Sequence, residues 1–236
     1  MGTVRLDPDR ITPYDVQPVL RRANGAAGLT LGGVPLVGAA LRWDPSSGKV
    51  NSDVSAAALV FQDGLGRRYI HHVAALTGDV AEFAEDGKTI KGGQVFGLCD
   101  IIERFHLGNI KLETNGIGGF APAVLRAAIK QRRLQCGVTE IDTRANKNKR
   151  ILEGMEPLIL SPGMLWAHVD VLDGPLWNQM RDWNPAVRDQ PDDYLDAVAA
   201  ACTDVPERVG RAAGAEPRER VDWGQQGGVF EVQVDR

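Results

Sequence analysis

Two hydrophobic rhythms alternate along this chain. An apolar run of strand length, Pro35-Leu36-Val37-Gly38-Ala39-Ala40-Leu41-Arg42-Trp43, ends at Asp44. Two further strands are expected over Val54–Phe61 and Arg67–Ala75, and Asp63-Gly64-Leu65-Gly66 between them is a hairpin signal. From Gln94 to Phe105 the period lengthens, with Val95, Leu98, Ile101, Ile102 and Phe105 at helical spacing. A short strand over Asn109–Glu113 ends in Thr114-Asn115-Gly116, and a helix follows from Pro122 to Arg133, with proline in its first turn. Val138–Ile141 reads as a strand and Lys147–Met155 as a helix. Leu158–Leu160, Ser161-Pro162-Gly163 and Met164–Val169 read as a hairpin, and helices over Leu176–Trp183 and Asp193–Cys202 close the body. Antiparallel strands followed by alternating helices and strands predict an α/β fold with a mixed sheet.

The flanks are less patterned. Residues 1–35 carry Asp-Pro, Thr-Pro and several glycines, and are expected to form a linker or arm around a short helix near Val16–Arg22. Residues 36–203 form the expected domain. Residues 204–236 are charged and glycine-rich, with a strand-like Val229–Val234, and read as a tail.

Composition narrows the class. With 236 residues, 43% hydrophobic and 25% charged, the chain has ordinary globular usage, which excludes a disordered or collagen-like polymer. No apolar run approaches the roughly 18 residues that a membrane span needs, and no secretory signal opens the chain, so a soluble protein is expected. Cys99, Cys136 and Cys202 are odd in number and widely spaced, which favours reduced thiols over a disulfide framework or a zinc site. The formal net charge is −4, so any nucleic-acid binding needs a local basic face, bound cations or a missing partner domain to offset the acids.

Candidate chemistry lies in acids at the edges of elements. Asp44 ends the first strand, Glu113 ends the strand after the first long helix, and Asp193 opens the last helix, preceded by Asp192 and followed one turn later by Asp196. Functional groups in open α/β sheets collect near strand ends. Carboxylates gathered there repel one another unless cations neutralise them, and oxygen-only ligands suit magnesium or manganese. Each acid also has a purely structural reading: Asp44 as a turn former before Pro45, Glu113 as an ordinary strand-end acid, Asp192 and Asp193 as helix caps.

Resemblance supplies a further argument. Trp43-Asp44-Pro45-Ser46-Ser47-Gly48, with Asp53 following, resembles the first acidic motif of the nuclease domain of tailed-phage terminase large subunits. Leu112-Glu113-Thr114-Asn115-Gly116 is similar to the second motif of that family, Lys147-Asn148-Lys149-Arg150-Ile151 to its Lys-x-x-Arg-Ile element, and Asp192-Asp193-Tyr194-Leu195-Asp196-Ala197 to its third motif. The four occur in family order. Pro191 stands where the family more often has a histidine before the Asp pair.

That resemblance implies an RNase H-like mixed β-sheet flanked by helices on both faces. It also implies two divalent metal ions, Mg2+ or Mn2+, and endonucleolytic cutting of double-stranded DNA during phage genome packaging in the cytoplasm of the bacterial host. Carried over by motif, Asp44, Glu113 and Asp193 would be catalytic, and these three with Asp196 would hold metal. Asp53 and Asp192 would stand behind them, and Lys147, Lys149 and Arg150 would grip DNA phosphates. The implied partners are a terminase ATPase domain, the small terminase subunit and the portal. No G-x-x-x-x-G-K-[ST] loop occurs, so the chain is expected to be an excised nuclease domain or a separate product lacking the motor. Two other readings remain: a catalytically silent module of the same fold that docks to portal or capsid, and a Holliday-junction-resolvase-like nuclease.

Overall fold

The computed structural model describes residues 5–23, 26–46, 54–114, 119–142, 146–187 and 190–204. In chain order its strands are β1 (Thr12–Tyr14), β2 (Pro18–Ala23), β3 (Ala26–Leu31), β4 (Val34–Asp44), β5 (Ser55–Asp63), β6 (Arg68–Leu76), β7 (Glu82–Phe83), β8 (Ile90–Gly92), β9 (Asn109–Glu113), β10 (Gly137–Ile141) and β11 (Leu165–His168). The helices are α1 (Gln94–Arg104), α2 (Ala121–Gln131), α3 (Lys147–Leu160), α4 (Val169–Leu172), α5 (Pro175–Asp182) and α6 (Asp193–Thr203).

The centre is β4, which pairs antiparallel with β5 on one side and parallel with β9 on the other. β5 continues antiparallel to β6, and β9 continues parallel to β10. The order β6-β5-β4-β9-β10 is therefore three sequential meander strands followed by two parallel ones, the expected mixed RNase H-like sheet. Both faces are covered. On one face Leu41, Trp43, Leu59 and Phe61 pack against Val95 and Leu98 of α1 and Leu125 of α2. On the other, Ala40, Ala58 and Val60 pack against Ile151 and Met155 of α3 and Leu195 and Val198 of α6. Burial on both faces explains why β4 and β5 read as near-continuous apolar runs instead of alternating ones.

α6 is buried on nearly every side, from Leu195 through Cys202, because it lies between the sheet and α3. Small residues permit this: Ala56 and Ala58 below it, its own Ala197, Ala199, Ala200 and Ala201, and Gly154 of α3 above. A Cβ on Gly154 would sit 2.5 Å from the Ala199 carbonyl oxygen. Gly154→Ala should therefore lower unfolding stability by about 1–3 kcal/mol through overpacking, read from the midpoint of urea denaturation.

Two expectations need correction. The helix expected near Val16–Arg22 is a strand, β2, paired antiparallel with β3. The turn Gly32-Gly33, whose φ angles of 54° and 85° suit a two-residue hairpin, sets β3 against β4 and so offers β2 a strand to pair with. Strands β2 and β3 thus extend the sheet, with β1 joining the far edge through parallel pairing to β11. The hairpin expected over 158–169 is also absent. Leu158–Leu160 complete the last turn of α3, and β11 pairs parallel with β6. Ile151, Met155 and Ile159 form one buried helical stripe that runs past Pro157, so packing holds the helix through a residue that normally ends one. The expected Val229–Val234 strand lies outside the described residues. No helix is long and apolar enough to cross a membrane among the described residues.

Candidate active site

β4 and β9 run side by side with Trp43 opposite Leu112, so the next residue of each strand, Asp44 and Glu113, reaches the same sheet edge. Odd residues of β4 such as Leu41 and Trp43 face α1 and α2, while Arg42 and Asp44 face α6. There Arg42, Trp43, Asp44, Glu113, Asp196, Ala197 and Ala200 line one small cleft. The sequence-predicted Asp44, Glu113 and Asp196 are brought together, whereas Asp193 stands one helical turn outward. Asp193 Oδ2 accepts from the Val54 amide at 3.1 Å, and its Oδ1 lies 3.6 Å from Lys147 Nζ. Asp192, the residue before α6, meets Lys147 Nζ at 2.5 Å. Asp53 lies outside the described residues, as do Asn115–Gly118.

Charge in the cleft is only partly balanced. Arg150 of α3 bridges two acids, with Nη1 2.6 Å from Glu113 Oε1 and Nη2 2.7 Å from Asp196 Oδ2. Arg42 Nη2 adds a contact of 3.3 Å to the same Glu113 oxygen. Neither arginine was singled out by sequence as a partner for the acids. The available signal for Arg42 was one charge inside the apolar run of β4, where it is 5% exposed. Arg150 and Lys147, expected on DNA phosphates, are engaged with carboxylates, while Lys149 is exposed and faces Glu153.

Burial and crowding disturb the acids. Asp44 is pushed up to about 6, mainly by removal from water and next by the charges of Glu113 and Asp196, with Lys147 opposing. Asp196 is also pushed up to about 6, again chiefly by burial, against the pull of Arg150 and Lys147. Asp196 Oδ1 is buried without a hydrogen-bond partner among the described residues. Such an atom is costly unless something else satisfies it.

Oxygen-only donors, an orphaned carboxylate oxygen and raised carboxyl pKa values together fit a hard divalent cation. The fit is incomplete in the geometry at hand. Among the described residues no three His, Cys, Asp or Glu side chains are grouped so as to hold a metal, and Arg150 pairs with both Glu113 and Asp196.

No curated protein matches the chain. Among solved structures, the nuclease domain of the large terminase subunit gp2 of bacterial virus Sf6 is similar at 11% identity and a TM-score of 0.45, over 72% of this chain and 89% of that one. A mutant of that domain with manganese and beta-thujaplicinol gives a TM-score of 0.46 at 11% identity and the same coverage of both chains. The yeast mitochondrial Holliday junction resolvase Ydc2 is similar at 14% identity and a TM-score of 0.41, over 69% of this chain and 77% of that one. The family described as Terminase Bacteriophage T7, Ribonuclease H-like domain matches residues 44–162, just over half of the sequence, from the acid that ends β4 to the turn after α3. With a β6-β5-β4-β9-β10 sheet beneath those residues, the chain belongs to the RNase H-like domain family of phage terminases.

Proposed function

We propose that this protein is a divalent-metal-dependent endonuclease that hydrolyses phosphodiester bonds of double-stranded DNA. The observation that carries the reading is the meeting of Asp44, Glu113 and Asp196 from β4, β9 and α6 in one cleft, with Asp196 Oδ1 left unsatisfied. Five carboxylates (Asp44, Glu113, Asp192, Asp193, Asp196) face three cations (Arg42, Lys147, Arg150), an excess of two negative charges when all are ionised. One divalent ion has the charge to neutralise that excess.

In this reading Asp44 and Asp196 would hold metal across the cleft, with Glu113 joining them when Arg150 withdraws and Asp193 serving the outer rim. Bound there, a pair of cations would activate water and stabilise the leaving 3′ oxygen. The protein side supplies the rest. Arg42 holds Glu113, Lys147 restrains Asp192 and Asp193, and exposed Lys149 would meet a phosphate. The net charge of −4 implies weak, salt-sensitive and sequence-independent affinity for DNA. Genome packaging in the host cytoplasm, beside an ATPase motor, small subunit and portal, is the setting that the family suggests.

Supercoiled plasmid incubated with Mn2+ or Mg2+ should be nicked and linearised, and a chelator should stop the reaction. Intact plasmid at every metal concentration would instead favour a silent module in which Arg150 permanently neutralises the acids. Preference for four-way junctions over linear duplex would redirect the reading to a resolvase.

A further inference from the structure

Beneath the candidate site, on the opposite face of the sheet from the Asp44 side chain, lies a buried polar cluster in an otherwise apolar core. Ser55 and Gln94 are 1% and 2% exposed. The Trp43 indole Nε1 donates to Ser55 Oγ at 2.9 Å, and Ser55 Oγ donates to Gln94 Oε1 at 2.6 Å, with the Asp44 carbonyl oxygen 3.3 Å away as a second acceptor. The carboxamide nitrogen of Gln94 then reaches two main-chain carbonyls, Gly78 at 2.8 Å and Ser46 at 3.3 Å.

The N-terminus of α1 is itself held in place. The Gln94 and Val95 amides donate to the carbonyls of Asp79 and Val80, both at 3.0 Å. Gly93 sits at φ 92°, where a Cβ would fall 2.7 Å from Asp79 O and from Ala81 Cα, so only glycine allows the approach. One side chain therefore ties three segments of the catalytic edge together: the end of β4, the loop after β6 and the start of α1.

We propose that Gln94 and Ser55 are positioning residues, which fix the main chain of Asp44–Ser46 and so aim the Asp44 carboxylate into the cleft. This rests on the nuclease reading for its consequence, though not for its geometry. The indole N–H of Trp43 and the carboxamide of Gln94 are buried and need partners whatever the protein does, and an apolar residue at 94 would remove the donor that reaches the Gly78 and Ser46 carbonyls. The network acts through the backbone, because neither side chain lies in the cleft. Trp43 completes it, since the indole that fills the α1-side core also fixes the Ser55 hydroxyl.

The test compares the whole chain with Gln94→Met, which keeps the volume and removes the donors, and with Ser55→Ala and Ser55→Thr. Three quantities are measured: hydrogen exchange of the Asp44 and Ser46 amides, which flank Pro45 in the 44–46 segment, Mn2+ affinity by electron paramagnetic resonance titration, and plasmid cleavage. In Gln94→Met we expect exchange at 44–46 to quicken at least tenfold while α3 and α6 stay protected. Mn2+ affinity should fall about tenfold and kcat by a similar factor, with KM for DNA unchanged. Ser55→Thr, which keeps the hydroxyl, should recover more of the Mn2+ affinity than Ser55→Ala. Unchanged exchange at 44–46 in folded Gln94→Met overturns the proposal, as does cleavage lost only in proportion to the unfolded fraction. Should the parent chain fail to cut DNA with any divalent ion, the nuclease reading falls, and the exchange comparison still decides the positioning role.

Discussion

Asp44→Asn will abolish cleavage and, in the same molecule, make the metal-free protein more stable at pH 8. The loss follows from position: Asp44 ends the central strand and faces Glu113 and Asp196 across the cleft. On the proposed reading, removing a metal ligand worth several kcal/mol of transition-state stabilisation corresponds to roughly a thousandfold or more in rate. The gain follows from the raised carboxyl. Asp44 moves from 3.8 to about 6 on folding, first through burial and then through its acidic neighbours. A carboxyl raised in this way binds more protons in the folded state between about pH 4 and 6, so its contribution turns unfavourable as pH rises through that window and stays so above it. Two pKa units correspond to about 2.7 kcal/mol, and residual solvent screening reduces this to about 1–2 kcal/mol. Calorimetry should show Asp44→Asn with the higher Tm at pH 8 and the two proteins converging towards pH 4. Added Mn2+ should raise the Tm of the parent and leave the variant unmoved. An Asp44→Asn protein less stable than its parent at pH 8 would show that the carboxylate is already well satisfied without metal.

Arg150→Met will have the opposite pairing of effects: a large loss of stability without metal and a tighter grip on Mn2+. Arg150 holds Glu113 at 2.6 Å and Asp196 at 2.7 Å, with side-chain exposures of 17%, 13% and 6% for the three residues. Removing one partner from a buried ion cluster leaves uncompensated charge and typically costs about 3–5 kcal/mol. Arg42 still reaches Glu113, and the cleft is open on one side, so about 2–4 kcal/mol is expected here. Methionine fills the volume without donating. Divalent cations then face no internal competitor, so the Mn2+-induced rise in Tm should exceed that of the parent. Equal stability of the two proteins in a chelator, or an equal response to Mn2+, would mean that Arg150 and the metal do not share the acids.

Much of the body was legible in the sequence. The sequence pattern predicts β9 over its observed residues, and α1, α2, α6 and the β5–β6 hairpin to within a few positions, because their periods are set by burial on defined faces. The failures have specific causes. The short strands β2 and β3 carry little alternation, and Gly32-Gly33, a turn that orders the chain, looks in sequence like a linker. Pro157 obscured a stripe that Ile159 continues.

The site divides in the same way. Acids at strand ends could be found from pattern and motif together, since strand termini in such sheets converge. Their counter-ions could not. Arg150 lies 37 and 46 positions from the two carboxylates it holds, and as part of a basic helix start it reads as a DNA contact. Between Asp193 and Asp196 the sequence offered only helical neighbours. The choice depends on the rotation of α6 about its axis, which is set by the alanines that press it against the sheet.

Those alanines make the width of the cleft a property of the core. Asp196 rides on a helix whose height above β4 and β5 is a few methyl groups, clamped from the other side by a bare glycine. If the cleft holds metal as proposed, altering ionic-radius selectivity would therefore not require touching any of the proposed ligands. Thickening the layer under the helix by one carbon would lift a carboxylate away from the strands and tilt the preference from small ions towards larger ones.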